Sequence, residues 1–273
     1  MHKLAVIVGH TSRQQGAVAV GRLAGMSEYH YNIEVAQIMQ SLSPAFNMEV
    51  GVFMRDAALG YSGQIEKAYD QADQWGADLA IELHFNASAN SSARYTITLS
   101  SGSDLSLKFA NRVQQAMCAC FDRPASQDQG VITRGREDRG GLSLIAGKAP
   151  AVLVEPFFGS NAADCAMADR VGKKNYAGAL LRAAARMADD LPRRKMRQSR
   201  SMQGQMLAAV GTGTTVTGGA TGDVANGLSD AGTALQAVSQ VSPWLMVVGT
   251  LLTIAGIALT VYARWDDHKE GRR

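Results

Sequence analysis

Cysteine is scarce in this 273-residue sequence. Only Cys118, Cys120 and Cys165 occur, an odd number, and the first two stand too close together to close a useful loop. A framework in which every cysteine is paired is excluded, and the thiols read as reduced and non-structural. An excess of charge of one sign is also nearly absent: 27 Lys and Arg against 24 Asp and Glu leave a net +3, too little to indicate nucleic acid as a partner. No cleavable leader is evident. The apolar run 4–8 is shorter than a signal-peptide core and no small-residue cleavage site follows it. It reads as a buried first strand, so passage out of the cytoplasm is expected to need another route. Lys and Arg are missing from 201–242, and charged residues of either sign from 243–263.

What is present divides into zones. A composition of 46% hydrophobic and 19% charged residues suits one globular domain with something added. Over 1–192, short apolar runs at 4–8, 49–54, 79–85, 95–99 and 151–155 alternate with stretches of helical spacing at 28–41, 63–75, 104–120 and 174–190. That alternation predicts an α/β fold, a twisted and mostly parallel sheet flanked by helices. Continuous apolar runs fit strands covered on both faces.

A basic run, Arg193 to Arg197 with Arg200, then opens a Gly/Ala/Thr-rich linker over 193–242, within which 233–241 has the makings of a short helix. The basic run reads first as a solvated helix end, and second as an attraction to anionic headgroups or wall polymers. The uncharged stretch 243–263 spans about 30 Å as a helix and is predicted to cross a membrane. Trp244 stands at one end, Tyr262 and Trp265 at the other. Arg264, Lys269, Arg272 and Arg273 follow, which predicts a cytoplasmic tail at 264–273. The expected location is therefore a single-pass inner-membrane protein with its catalytic domain on the periplasmic face. Ser242, Gly249, Thr253, Gly256, Thr260 and Ala263 form one stripe of small residues, a face for self-association.

Ligands of such sheets bind beyond the carboxyl ends of the strands. His10 follows the first run, His84 with Asn86 closes the third, and Glu155 ends the last. Two imidazoles and a carboxylate at one edge suit a hydrolytic zinc site, which keeps three protein ligands and an open position. Glu28, His30, Glu34 and Glu82 are candidates for the third ligand. Glu28 follows Ser27, a plausible N-cap, and Asn32 shares its helix face. His30 lies about 200° around the helix from Glu28, so the two cannot serve one ion. Glu82 alternates onto the face of His84 and is either a ligand or a partner that orients that histidine.

Gly9-His10, Glu28 with Asn32, His84-Phe85-Asn86-Ala87, and 150–155 with Phe158-Gly159-Ser160-Asn161 resemble the zinc-dependent N-acetylmuramoyl-L-alanine amidases over roughly 1–190. The resemblance implies one Zn²⁺ on His10, Glu28 and His84, a catalytic Glu155, and peptidoglycan as substrate. Asn86 and Asn161 are substrate or supporting hydrogen-bonders, or else caps of loop backbone. Two departures stand out: Thr11-Ser12-Arg13 replaces the usual glycines, and Glu82-Leu83-His84 replaces Ser-Ile-His. The whole architecture resembles a phage endolysin for host lysis. A zinc peptidase acting on stem or cross-link peptides, a degenerate membrane-tethered wall-binding protein, and a tail that itself perturbs the membrane are the competing readings.

Overall fold

The computed structural model describes residues 1–191. The domain boundary expected at 192, and the linker, membrane span and tail beyond it, lie outside the described residues. Among the described residues no helix is long and apolar enough to cross a membrane.

Six strands form one sheet: β1 (His2–Val8), β2 (Met48–Met54), β3 (Leu79–Leu83), β4 (Thr96–Ser100), β5 (Asp128–Thr133) and β6 (Ala151–Glu155), in the order β2-β1-β3-β6-β4-β5. All neighbours run parallel except β4 and β6. Leu4 to Val8 are entirely buried, as an apolar run covered on both faces must be. Alternation sorts their side chains. Leu4, Val6 and Val8 join Leu79, Ile81 and Leu83 in one core, under α1 (Glu28–Leu42), α3 (Asp104–Cys120) and α5 (Ala162–Asp189). Ala5, Ile7 and Ala80 join the opposite core, beneath α2 (Tyr61–Trp75) and α4 (Gly141–Ile145).

Three elements differ from the sequence expectation. β5 is an edge strand, half-buried at best, so it carries no continuous apolar run. α4 has five residues, too few for a helical period to register. α5 begins twelve residues before the stretch read from position 174, because Gly172 (φ 74°, ψ 145°) interrupts it. The expected helix is its second half. The first half is opened by Asn161, whose Oδ1 accepts from the Asp164 N–H at 3.0 Å.

For the site, the consequential feature is the register. Parallel pairing aligns Val8 with Leu83, and Leu83 with Val154. The residues that follow β1 and β3 and the last residue of β6 therefore emerge side by side at one edge.

Candidate metal centre

His10 leaves β1 through Gly9 and adopts φ 68°, a left-handed conformation that few side chains tolerate. Gly9 donates its N–H to the Leu83 carbonyl at 3.1 Å, and a methyl group on it would run into the His84 ring. Two histidines from different strands are brought together because a glycine stands between them: their ring centroids are 5.0 Å apart.

Glu28 enters at the first turn of α1, where its N-cap Ser27 accepts from the His30 N–H at 3.3 Å. Its carboxylate is divided between the two imidazoles. Oε2 lies 3.1 Å from His10 Nε2 and Oε1 lies 2.7 Å from His84 Nδ1. Backbone N–H groups of Ala17 and Phe85 donate to the same two oxygens at 3.3 and 3.1 Å. Burial opposes ionisation of Glu28, but the hydrogen bonds from His10 and His84 outweigh it and hold the carboxyl at about 2. Burial likewise disfavours a charged His84, yet Glu28 and Glu82 outweigh it and raise the imidazole to about 9. Without a cation, a proton is held where the donors converge.

One nitrogen each from His10 and His84 and an oxygen of Glu28 lie within 4.8 Å of one another. Two imidazoles and one carboxylate are the donor set of a hydrolytic zinc site, and replacement of that proton by a divalent cation suits the charge of the cluster. The residues present fit the metal.

The other third-ligand candidates point elsewhere. His30 is exposed, with Nδ1 2.8 Å from Ser27 Oγ. Glu34 pairs with Lys173 at 2.7 Å. Glu82 is fully buried behind His84: Oε1 meets Arg55 Nη2 and lies 2.8 Å from His84 Nε2, and Oε2 accepts from Tyr69 Oη at 3.1 Å. Burial opposes the charge of Glu82, and Arg55 and His84 keep its carboxyl at about 2. Asn32 is buried and donates to the Leu83 carbonyl at 3.2 Å, which secures the end of β3 against α1.

Glu155 shares a cavity of about 290 Å³ with His10, Glu28 and His84. Burial raises its carboxyl above the usual range; His84, Arg139 and Arg134 pull it down, and Glu28 pushes it up. Asn86 also lines the cavity, and its Oδ1 accepts from the Ala87 N–H at 2.9 Å. Asn161 does not face this space. It caps α5 and donates to the Ser91 and Ala93 carbonyls at 2.8 and 3.3 Å, the loop-capping alternative.

Residues 4–186, more than half of the chain, match the family described as N-acetylmuramoyl-L-alanine amidase. The chain belongs to this family. The solved catalytic domain of CwlV, an amidase of this name from Bacillus (Paenibacillus) polymyxa var. colistinus, is similar at 22% identity and a TM-score of 0.58, over 69% of this chain and 99% of that one. The catalytic domain of the CD27L endolysin targeting Clostridia difficile gives 23% and 0.56, over 68% and 98%. The CwlD amidase of Clostridioides difficile, solved with the GerS lipoprotein, gives 16% and 0.58, over 70% and 100%. At these identities the likeness is one of fold. None of the curated proteins matches the sequence significantly.

The amidase cavity also holds residues that the sequence reading passed over: Gln14, Arg55, Tyr61, Gln64 and Arg139. Arg55 follows β2 as His10 follows β1, so the same strand-end rule finds it. Arg139 and Gln64 carry no such signal; they reach the site from a loop and from a helix face. Gly16 lies close against both His10 and Glu28.

Proposed function

We propose that this amidase is zinc-dependent, with His10, Glu28 and His84 as the metal's protein ligands and Glu155 as the proton carrier. The observation that supports it best is the convergence of those three donors in one cavity with Glu155. A zinc ion bound there supplies Lewis acidity, activating water near neutral pH and polarising the amide carbonyl. The chain's own residues do the rest. The carboxylate of Glu155 takes a proton from the attacking water and returns it to the departing L-alanine nitrogen. A C–O bond forms at the lactyl carbonyl as the C–N bond breaks. A carboxyl raised by burial suits a group that must both accept and release a proton near neutrality. Asn86 is placed to hydrogen-bond the substrate from the cavity wall.

We further infer that the enzyme serves phage-type host lysis from a membrane anchor. Support comes from the sequence: an uncharged stretch at 243–263 flanked by aromatics and followed by basic residues, joined through 193–242 to the catalytic domain. The domain then faces the periplasm and meets peptidoglycan, with the tail in the cytoplasm. The small-residue stripe pairs copies of the span.

Metal analysis combined with muropeptide mapping tests the chemistry. Wild type is expected to carry one zinc and to release stem peptides beginning at L-alanine. Glu155→Gln keeps the metal and His84→Ala largely loses it, with lysis abolished in both. Cleavage inside the stem or cross-link would replace this reading with a peptidase, and metal-free, inactive wild type would replace it with a wall-binding protein. For the anchor, carbonate extraction is expected to leave the full chain in the membrane fraction. Gly249→Leu with Gly256→Leu is expected to abolish pairing in a membrane reporter.

A further inference from the structure

Glu82 stands where alternation along β3 directs its side chain into the same core as Ala80, beneath α2 and α4. A carboxylate there, fully buried, is costly unless it is paired and hydrogen-bonded. Three elements meet that need. Arg55, from the end of β2 and 5% exposed in its side chain, places Nη2 on Glu82 Oε1. Tyr69 of α2 donates to Oε2 at 3.1 Å. Ser143 of α4 accepts from the same Arg55 nitrogen at 3.2 Å. Stability does not account for such an arrangement, because apolar side chains of similar volume commonly replace a buried ion pair at no loss. What the arrangement does hold is His84. Its Nε2 is 2.8 Å from Glu82, and its Nδ1, on the opposite side of the ring, is 2.7 Å from Glu28 at the point where the three donors converge.

We propose that Glu82, clamped by Arg55 and Tyr69, is a positioning residue that receives the Nε2–H of His84 and so presents the Nδ1 lone pair to the metal. With both oxygens engaged behind the ring, Glu82 acts through His84 and is no ligand itself. A carboxylate that receives the free N–H of a ligating histidine fixes the ring's orientation and strengthens it as a ligand. This inference rests on the metal reading above.

The test uses the full-length protein stripped of metal, with zinc affinity read by competition against a chromophoric chelator. Glu82→Gln keeps the size of the side chain and removes the anionic acceptor. It is expected to weaken zinc binding about 10- to 100-fold. The triple variant Arg55→Met, Tyr69→Phe, Glu82→Leu removes both charges together with the buried hydroxyl that donates to Glu82. It is expected to melt no lower than wild type in the absence of metal, yet to lose zinc affinity to the same degree. That separates orienting the histidine from holding the fold. Cobalt substituted for zinc should show altered ligand-field bands in both variants. Folded variants that bind zinc within about threefold of wild type, with an unchanged cobalt spectrum, would overturn the proposal and leave the metal reading intact. Wild type that binds no zinc would overturn both.

Discussion

Gly16 offers a test of how tightly the metal-binding triad is packed. It lies at φ +75°, and a methyl group built on it would stand 2.6 Å from Glu28 Oε2 and 2.7 Å from the His10 ring. Gly16→Ala therefore has two effects of different size. The left-handed backbone costs an alanine about 1–2 kcal/mol. The contact is a separate matter, because the atoms that must yield belong to the proposed metal site. The partly exposed His10 ring can swing aside, whereas the Glu28 carboxylate gives up the Ala17 and Phe85 N–H groups if it moves. The loss should therefore fall on zinc as well as on the fold. Metal-free protein is expected to melt roughly 2–8 °C lower, from that backbone cost spread over a domain of this size. Zinc affinity is expected to fall by about tenfold or more, as for a ligand whose support has been disturbed. Calorimetry with and without zinc, beside a chelator competition, reads both quantities. Unchanged zinc affinity alongside the stability loss would refute the packing argument, since it would mean that Glu28 and His10 can shift without cost to the ion.

Protonation supplies further tests. For His84, raised from 6.5 to about 9 in the metal-free protein, the stabilising charge is fully present below pH 6.5 and is lost as pH rises through about 9. For Glu28 and Glu82, lowered from 4.5 to about 2, stability is present above pH 4.5 and is lost as pH falls toward 2. Melting of the chelated protein should thus peak between these limits, while zinc affinity rises with pH because a proton is displaced from His84. In the loaded enzyme, kcat/KM should fall on the acid side at a pH above the ordinary glutamate range, since half-buried Glu155 works as a carboxylate, and Glu155→Gln should remove that limb with a loss of about 10²–10⁴-fold. Arg123→Ala should cost about 1–3 kcal/mol in thermal unfolding, because it removes one of the two guanidiniums on fully buried Asp164 and leaves it Arg94 at 2.7 Å.

Much of the fold was legible because its signals are local. The runs at β1 and β6 are apolar on both faces, and the helical spacing over 104–120 gives the whole of α3, since Ser103 caps it and accepts from the Ser106 N–H. β5 was not legible: an edge strand needs only one covered side, and its burial pattern carries no period. The early half of α5 was hidden by Gly172, whose conformation breaks the helical spacing in the middle of a continuous element. Asn161 was legible as either a hydrogen-bonder at the site or a cap of loop backbone, and the choice between them depends on the loop at 91–93 returning to meet it.

The candidate site divides along the same line. His10, His84 and Glu155 share one property readable from a single chain, the place just after or at the end of a buried strand, and a parallel register turns that property into proximity. Glu28 needed one more step, a helix start directed over the strand ends, and Ser27 signalled it. Arg55 obeys the strand-end rule as well as His10 does, yet a lone arginine after a strand suggests nothing until its partner is known. Its partner is Glu82, and a glutamate inside an apolar strand reads as an anomaly when taken alone. Each of the two residues explains the other only across the sheet, with β1 between their strands. The two departures from the family's usual motifs thereby have different meanings. Thr11-Ser12-Arg13, in place of glycines, lies outside the converging donors, and the close approach to His10 and Glu28 is made by Gly16. Glu82 is an addition, since it brings a buried charge that requires Arg55, Tyr69 and Ser143 to accommodate it. An added charge that the surroundings go so far to satisfy has to act on something nearby, and the group it touches on its open side is the imidazole of His84.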